Sequence, residues 1–490
     1  MEPYIIFALT IILVIVSFFV FRGERRKYFG KTMKILAIVY LVVVFFRYML
    51  SDQFIWVINK GSYSGKYFER TDILQTILRW GHHLSSVVIV MAIFFNSRLF
   101  KNLAIYFVLP FSVLTVIFFG DFMAYFMDEV FVDASRGIHC AYWFRSAYFS
   151  LELVLSLVLP ILIIVVDRHY LNVKDKIEWR DFLICIPFVA LAGMPVYVPQ
   201  SLFGYTRFTT GALTIGNLIW IAVTLLEITI LFVVFRFKDY RSRYMLCMFL
   251  ALSLFMHYNS MYLMGFTISR LPVQLCNLAA YFFVIVLLLK KKQFFNFIFL
   301  ANIVGTLIAM IAPDTDGGFG GFWNIHFLVE HMQVLVIPML CMLLRIFPRL
   351  DKNAIKHLIV GFSIYFAFCW ISGTILNGLA DDFGYGRVNF FFIFDFGKAF
   401  DYFPFLSFTK EVYITFFGKF TIWPVFQLLI YAGFLCLCLG FYWLTMQFYK
   451  MLDDHYELRN ARIRMYEKIT GKKSKAKLFF GDEGEQDVRD

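Results

Sequence analysis

Apolar runs of about 18 to 24 residues recur along the whole chain, and they leave few folds open to it. A hydrocarbon layer of ~30 Å takes about 20 helical residues to cross. The chain is 60% hydrophobic over 490 residues, with a mean hydropathy of +0.72. A soluble globule averages roughly half apolar residues. The 63 Phe and 27 Tyr suit lipid-facing surface and interfacial belts. The expected class is an all-α polytopic membrane protein.

The runs place spans near 4–22, 33–50, 72–95, 102–120, 143–166, 181–199, 212–235, 243–263, 271–289, 293–312, 324–345, 354–377 and 423–446, about thirteen transmembrane helices in all. Basic clusters follow every odd span: Arg22, Arg25, Arg26 and Lys27 after the first, Arg168, Lys174 and Lys176 after the fifth, and Lys290 to Lys292 after the ninth. The even loops are acidic or mixed, as with Asp121, Asp128, Glu129 and Asp133. The positive-inside rule then puts the N-terminus outside and the C-terminus in the cytoplasm of a plasma membrane, in a chain that reads as bacterial. The net charge of +12 is this topology signal, and no nucleic-acid partner is expected. The first run, Tyr4 to Phe21, has no basic stretch before it and is followed by arginines, so it reads as a first span and not a cleaved leader.

The eight cysteines are scattered and form no CxxC pair, so neither a zinc knuckle nor a thioredoxin-like motif is suggested; no metal or soluble cofactor is expected. Past about residue 450 the chain is charged, first helical and then disordered. The loop 378–422 is long and aromatic, fit for the outer interface or for a lid.

Two stretches suggest a duplication. ILRWGHHLSSVVIVMAIFF (77–95) lies on ISRLPVQLCNLAAYFFVIV (268–286), with Arg79 on Arg270 and Ser85 on Cys276. YFSLELVLSLVLPIL (148–162) lies on HFLVEHMQVLVIPML (326–340), with Glu152 on Glu330 and Pro160 on Pro338. Each unit has an even number of helices, so the two six-helix repeats are parallel, with one terminal helix added. The expected organisation is a membrane unit at 1–205, a second at 206–380, an aromatic loop and last helix at 381–446, and a cytoplasmic tail at 447–490. Arg, Glu and Pro occur in both copies and read as scaffold. Cys276, His326 and His331 face Ser85, Tyr148 and Leu153 and are particular to the second copy.

These three residues are the candidate catalytic set. Polar groups in lipid are costly and by default mark internal, functional positions. A nucleophilic cysteine needs a base or cation beside it, and histidine titrates in the right range. Cys276 is expected about two turns into the ninth span. His326 and Glu330 are four apart and share a helix face, while His331 lies about 100° round from Glu330. Glu330 is suited to orient an imidazole. Arg270, Gln274 and Asn277 are candidate oxyanion donors, and Asp314 sits in the glycine-rich outer loop 312–323. Plainer readings stand beside these. A cysteine in a membrane helix more often fills space than reacts, histidines there can tie helices together, and Glu330 has a counterpart in the other copy.

The order LPVQLC (271–276), a Pro-Asp turn at Pro313 and Asp314, then HFLVEH (326–331) resembles the YwaF and transmembrane protein 164 family, over roughly 210–380. The resemblance implies an acyltransferase that moves fatty acyl groups between membrane lipids, donor and acceptor, through an acyl-cysteine. It matches Cys276 to the nucleophile and His331 to the family's histidine, with His326 as the alternate. The N-terminal unit and Val273 depart from the pattern. Two rival classes remain: a transporter or lipid flippase built on a duplicated bundle, and a polyprenyl-phosphate sugar transferase. The first lacks a row of paired midplane charges, and the second lacks an acidic pair in the first outer loop.

Overall fold

The computed structural model describes residues 2–50, 73–124, 140–166, 214–261, 268, 271–311, 313, 322–395, 404–474, 476 and 478–479. Its helices are α1 (Glu2–Val20), α2 (Phe29–Phe46), α3 (Ile73–Phe95), α4 (Arg98–Ile117), the short α5 (Phe119–Ala124), α6 (Tyr142–Val165), α7 (Ile215–Phe235), α8 (Tyr240–Met261), α9 (Leu275–Leu289), α10 (Lys292–Ile311), α11 (Phe322–Leu343), α12 (Asn353–Phe383) and α13 (Pro424–Thr470). Among the described residues, nine helices are long and apolar enough to cross a membrane. Twelve of the thirteen expected spans fall on these helices, and the sixth, near 181–199, lies outside the described residues. This is an all-α polytopic membrane protein.

Local chemistry sets the ends. Ser97 and Thr214 accept the N–H groups of Phe100 and Asn217, capping α4 and α7. Pro424 opens α13, where a missing N–H costs nothing. Gly384 and Gly471 close α12 and α13 at φ +67° and +64°, a conformation open to a residue without Cβ.

The chain forms two compact units. The first is Met1–Gly204 with Met248–Phe266. Within it α6 packs on α1, α2 and α4. Arg47 and Glu152 pair at 2.7 Å with both side chains fully buried. The Tyr148 hydroxyl donates to the Val43 carbonyl at 2.7 Å.

The second unit is Tyr205–Cys247 with Thr267–Asp490. Its centre is α11, 89% of whose apolar stretch is buried, against 22% for α13 and 33% for α7 and α12. The outer helices show apolar side chains on the faces that lipid would cover, and α11 is wrapped by α7, α9 and α10. At 31 residues α12 is about 46 Å long, and α13 at 47 residues about 70 Å. Both exceed a ~30 Å core, so α13 carries its charged second half beyond the lipid. The connection between them is not one plain loop. Residues 388–395 form a strap, and β1 (Ile414–Phe416) pairs antiparallel with β2 (Phe420–Ile422).

Candidate active site at the start of a short helix

Helix α9 begins at Leu275, so Cys276 is its second residue. This corrects the expectation of a cysteine two turns inside a helix. Pro272 and the non-helical Gln274 (ψ 144°) hold 271–274 as a turn. The first helical hydrogen bond runs from Leu278 N–H to the Gln274 carbonyl, at 2.8 Å. The N–H groups before it have no intrahelical acceptor.

With 15 residues α9 is about 22 Å long, too short for a ~30 Å core. Non-helical backbone at such a place needs partners from the protein. The Tyr365 hydroxyl of α12 donates to the Val273 carbonyl at 2.8 Å. Gln274 is taken at both ends of its amide: Nε2 donates to the Asn389 carbonyl at 2.9 Å, and Oε1 accepts from the Phe391 N–H at 2.8 Å. Gln274 thus fastens the strap over the head of α9, a role the sequence reading did not foresee.

The backbone N–H groups of Cys276 and Asn277 belong to the first turn of α9, beside the Cys276 sulfur. The thiol donates to Asn277 Oδ1 at 3.2 Å, so Asn277 turns its oxygen, not its NH₂, to the sulfur. A helix N-terminus carries a partial positive charge and suits an anion.

Helix α11 packs against α9 and carries the rest. Glu330 and the adjacent His331 are both buried. His326 Nε2 lies 3.3 Å from Glu330 Oε2. Glu330 Oε1 is buried with no hydrogen-bond partner among the described residues. His331 Nδ1 sits 2.8 Å from the Phe327 carbonyl, which can only accept. Nδ1 therefore holds the proton, and Nε2 of the neutral ring keeps its lone pair. The Phe327 ring lies against the imidazole at 4.0 Å between centroids and helps fix its plane. His326 turns its Nε2, not its Nδ1, towards the Glu330 carboxyl.

Arg270 and Asp314 lie outside the described residues. Two further buried polar groups went unmarked in the sequence: Glu227 of α7, whose carboxylate oxygens both accept from Gln333 Nε2 at 3.0 Å, and Asn302 of α10, whose amide has no partner among the described residues. Each is a single polar letter inside an apolar run, and only packing reveals its surroundings. Among the described residues no group of three or more His, Cys, Asp or Glu is placed to hold a metal ion.

The fold is that of a multi-pass helical membrane protein, with a half-buried thiol at the head of a short helix and two buried imidazoles and a buried carboxyl on the helix packed against it. Residues 205–443, in the second half of the chain, match the model of the TMEM164 family. No curated protein and no solved structure matches the chain.

Proposed function

We propose that the protein is an integral membrane acyltransferase that carries fatty acyl groups between lipids on Cys276. The observation that carries the reading is the position of that sulfur: on the second residue of α9, where the first N–H groups lack intrahelical acceptors, in a helix packed against α11, which bears His326, Glu330 and His331. The family match supports it, because the matched segment holds all of these residues.

His331 Nε2 takes the thiol proton as the sulfur attacks the carbonyl carbon of an acyl ester. The N–H groups at the head of α9 receive the oxyanion. When the tetrahedral adduct collapses, the carbon–oxygen ester bond breaks and the leaving lipid alkoxide takes the proton back from His331. The second half runs the same way in reverse. An acceptor hydroxyl gives its proton to His331, attacks the thioester, and the thiolate leaves and is reprotonated. Glu330 and His326 hold the imidazole region, and the Gln274-fastened strap limits water. The basic clusters after the odd spans support a site in the outer half of a plasma membrane, with the N-terminus outside.

The test is capture of the intermediate. Purified protein given a labelled-acyl phospholipid is expected to carry a hydroxylamine-sensitive label, absent in Cys276→Ala. Equal labelling of both would remove the reading. Lipid or solute flux that survives loss of Cys276 and both histidines would favour a transporter.

A further inference from the structure

Between the strap and α13 the chain shows apolar side chains that are exposed among the described residues. In β1 all three residues are exposed, while β2 is half-buried. The strand β2 holds the hairpin to α12: a methyl group on Gly378 would stand 2.3 Å from the Phe420 ring, and Lys419 pairs with Asp382 at 2.6 Å. β1 and the turn face away. Phe417 is 92% exposed, Tyr413 61% and Phe416 48%.

The turn itself is unusual. Phe417 and Gly418 have φ of +52° and +68°, and the Lys419 N–H returns to the Phe416 carbonyl at 3.1 Å. A hairpin turn of this hand favours Asn-Gly or Asp-Gly, and a bulky residue with positive φ is strained. The most exposed aromatic ring of the hairpin therefore occupies a position that local backbone preference gives to a small polar residue.

The hairpin ends on Trp423, and α13 starts on the next residue. Its first turns expose Leu428 and Leu429 to the surroundings of a membrane span. The Lys410 ammonium lies 5.2 Å from the Trp423 ring, a Trp-and-Lys combination typical of the headgroup level. The apolar hairpin is thus continuous with lipid-facing surface and begins where the span begins.

We propose that residues 412–422 lie in the lipid interface, with Phe416 and Phe417 inserted below the headgroups. The occupant of this surface is the bilayer in which the protein sits. The hairpin then fixes one end of the long connection to lipid, while Gln274 fixes the other to the head of α9. This assignment stands whether or not Cys276 carries acyl groups.

The test uses the full chain in nanodiscs containing a phosphatidylcholine with a diazirine high in its acyl chain. After irradiation, peptide mapping is expected to find lipid adducts on 412–417 as well as on 425–429. In Phe416→Ser/Phe417→Ser the adducts on 412–417 should fall to a small fraction, with those on 425–429 unchanged. Adducts on 425–429 alone in the wild type overturn the proposal, as does labelling of 412–417 that the double substitution leaves intact. Dimers lost in Phe417→Ser, with no lipid adduct on the hairpin, would give the surface to a second copy and equally overturn it.

Discussion

Single side chains divide here into those that hold the fold and those fit for chemistry. Arg47 and Glu152 are both fully buried and bonded at 2.7 Å. Removing one partner leaves an uncompensated charge, at a cost of roughly 3–5 kcal/mol. Arg47→Met is expected to lower thermal stability in detergent sharply, and Arg47→Met/Glu152→Leu to recover most of the loss. A single mutant as stable as the double would refute the pairing. Asn302 presents the opposite case. Its amide is buried with neither atom bonded among the described residues, and replacing such a group by an apolar one of similar shape avoids about 1–3 kcal/mol of desolvation. Asn302→Leu should therefore raise the unfolding temperature, which a thermal melt checks; a fall would mean that the amide is satisfied by water or lipid. For the histidines, the bond from His331 Nδ1 to the Phe327 carbonyl leaves Nε2 as the base, whereas His326 points its Nε2 at Glu330. His331→Gln is expected to abolish thioester capture, and His326→Gln to reduce it while leaving it measurable.

Among elements, the head of α9 shows how much the sequence gave away. The polarity of RLPVQLCNLA marked a special place, but the span was read as helical from 271, and the turn at 271–274 was not foreseen. What the letters did not show is that Gln274 would bond to a strap more than a hundred residues away, or that Tyr365 would reach back to Val273. A glutamine's partners depend on tertiary approach, and no local rule supplies them. The strap has its own checkpoint at Gly373, where a methyl group would stand 2.2 Å from Phe394 Cε2. Overpacking of this kind costs about 1–3 kcal/mol. Gly373→Ala is expected to loosen the strap, seen as faster proteolysis within 388–395 and slower thioester formation. Unchanged cleavage would show that the ring moves aside freely. The hairpin was hidden for a related reason. Its strands are three residues each, below the length at which alternation becomes visible.

At the scale of the molecule, hydropathy fixed the spans and charge suggested their direction, but neither said which helix is central. The connection between α11 and α12 also holds a contact that responds to pH. Asp351 lies between α11 and α12. Burial works against its ionisation, but the hydrogen bond and charge of Lys292 and the Ala354 N–H outweigh this and hold its carboxyl below the ordinary value. A carboxyl depressed in the folded state adds stability that is full above the unfolded pKa, ~4 for Asp, and is lost as pH falls through the lower folded value. Wild type and Asp351→Asn should therefore differ in melting temperature at neutral pH and converge below about pH 4. A constant difference across that range would exclude the linkage.

The sequence by itself determined the solvent of this protein and, among the described residues, the helices that face it. Long apolar runs must cross lipid as helices, because a backbone polar group has no other partner there. It also picked out Cys276, His326 and His331, since polar letters are conspicuous against an apolar background. Tertiary structure alone decided that the thiol sits at the open end of a shortened helix, that α11 is the buried axis of its unit, and that each imidazole presents a particular nitrogen. Those features arise from which helix packs on which and which carbonyl lies within hydrogen-bond range, and they depend on approach in space between residues that sequence order keeps apart.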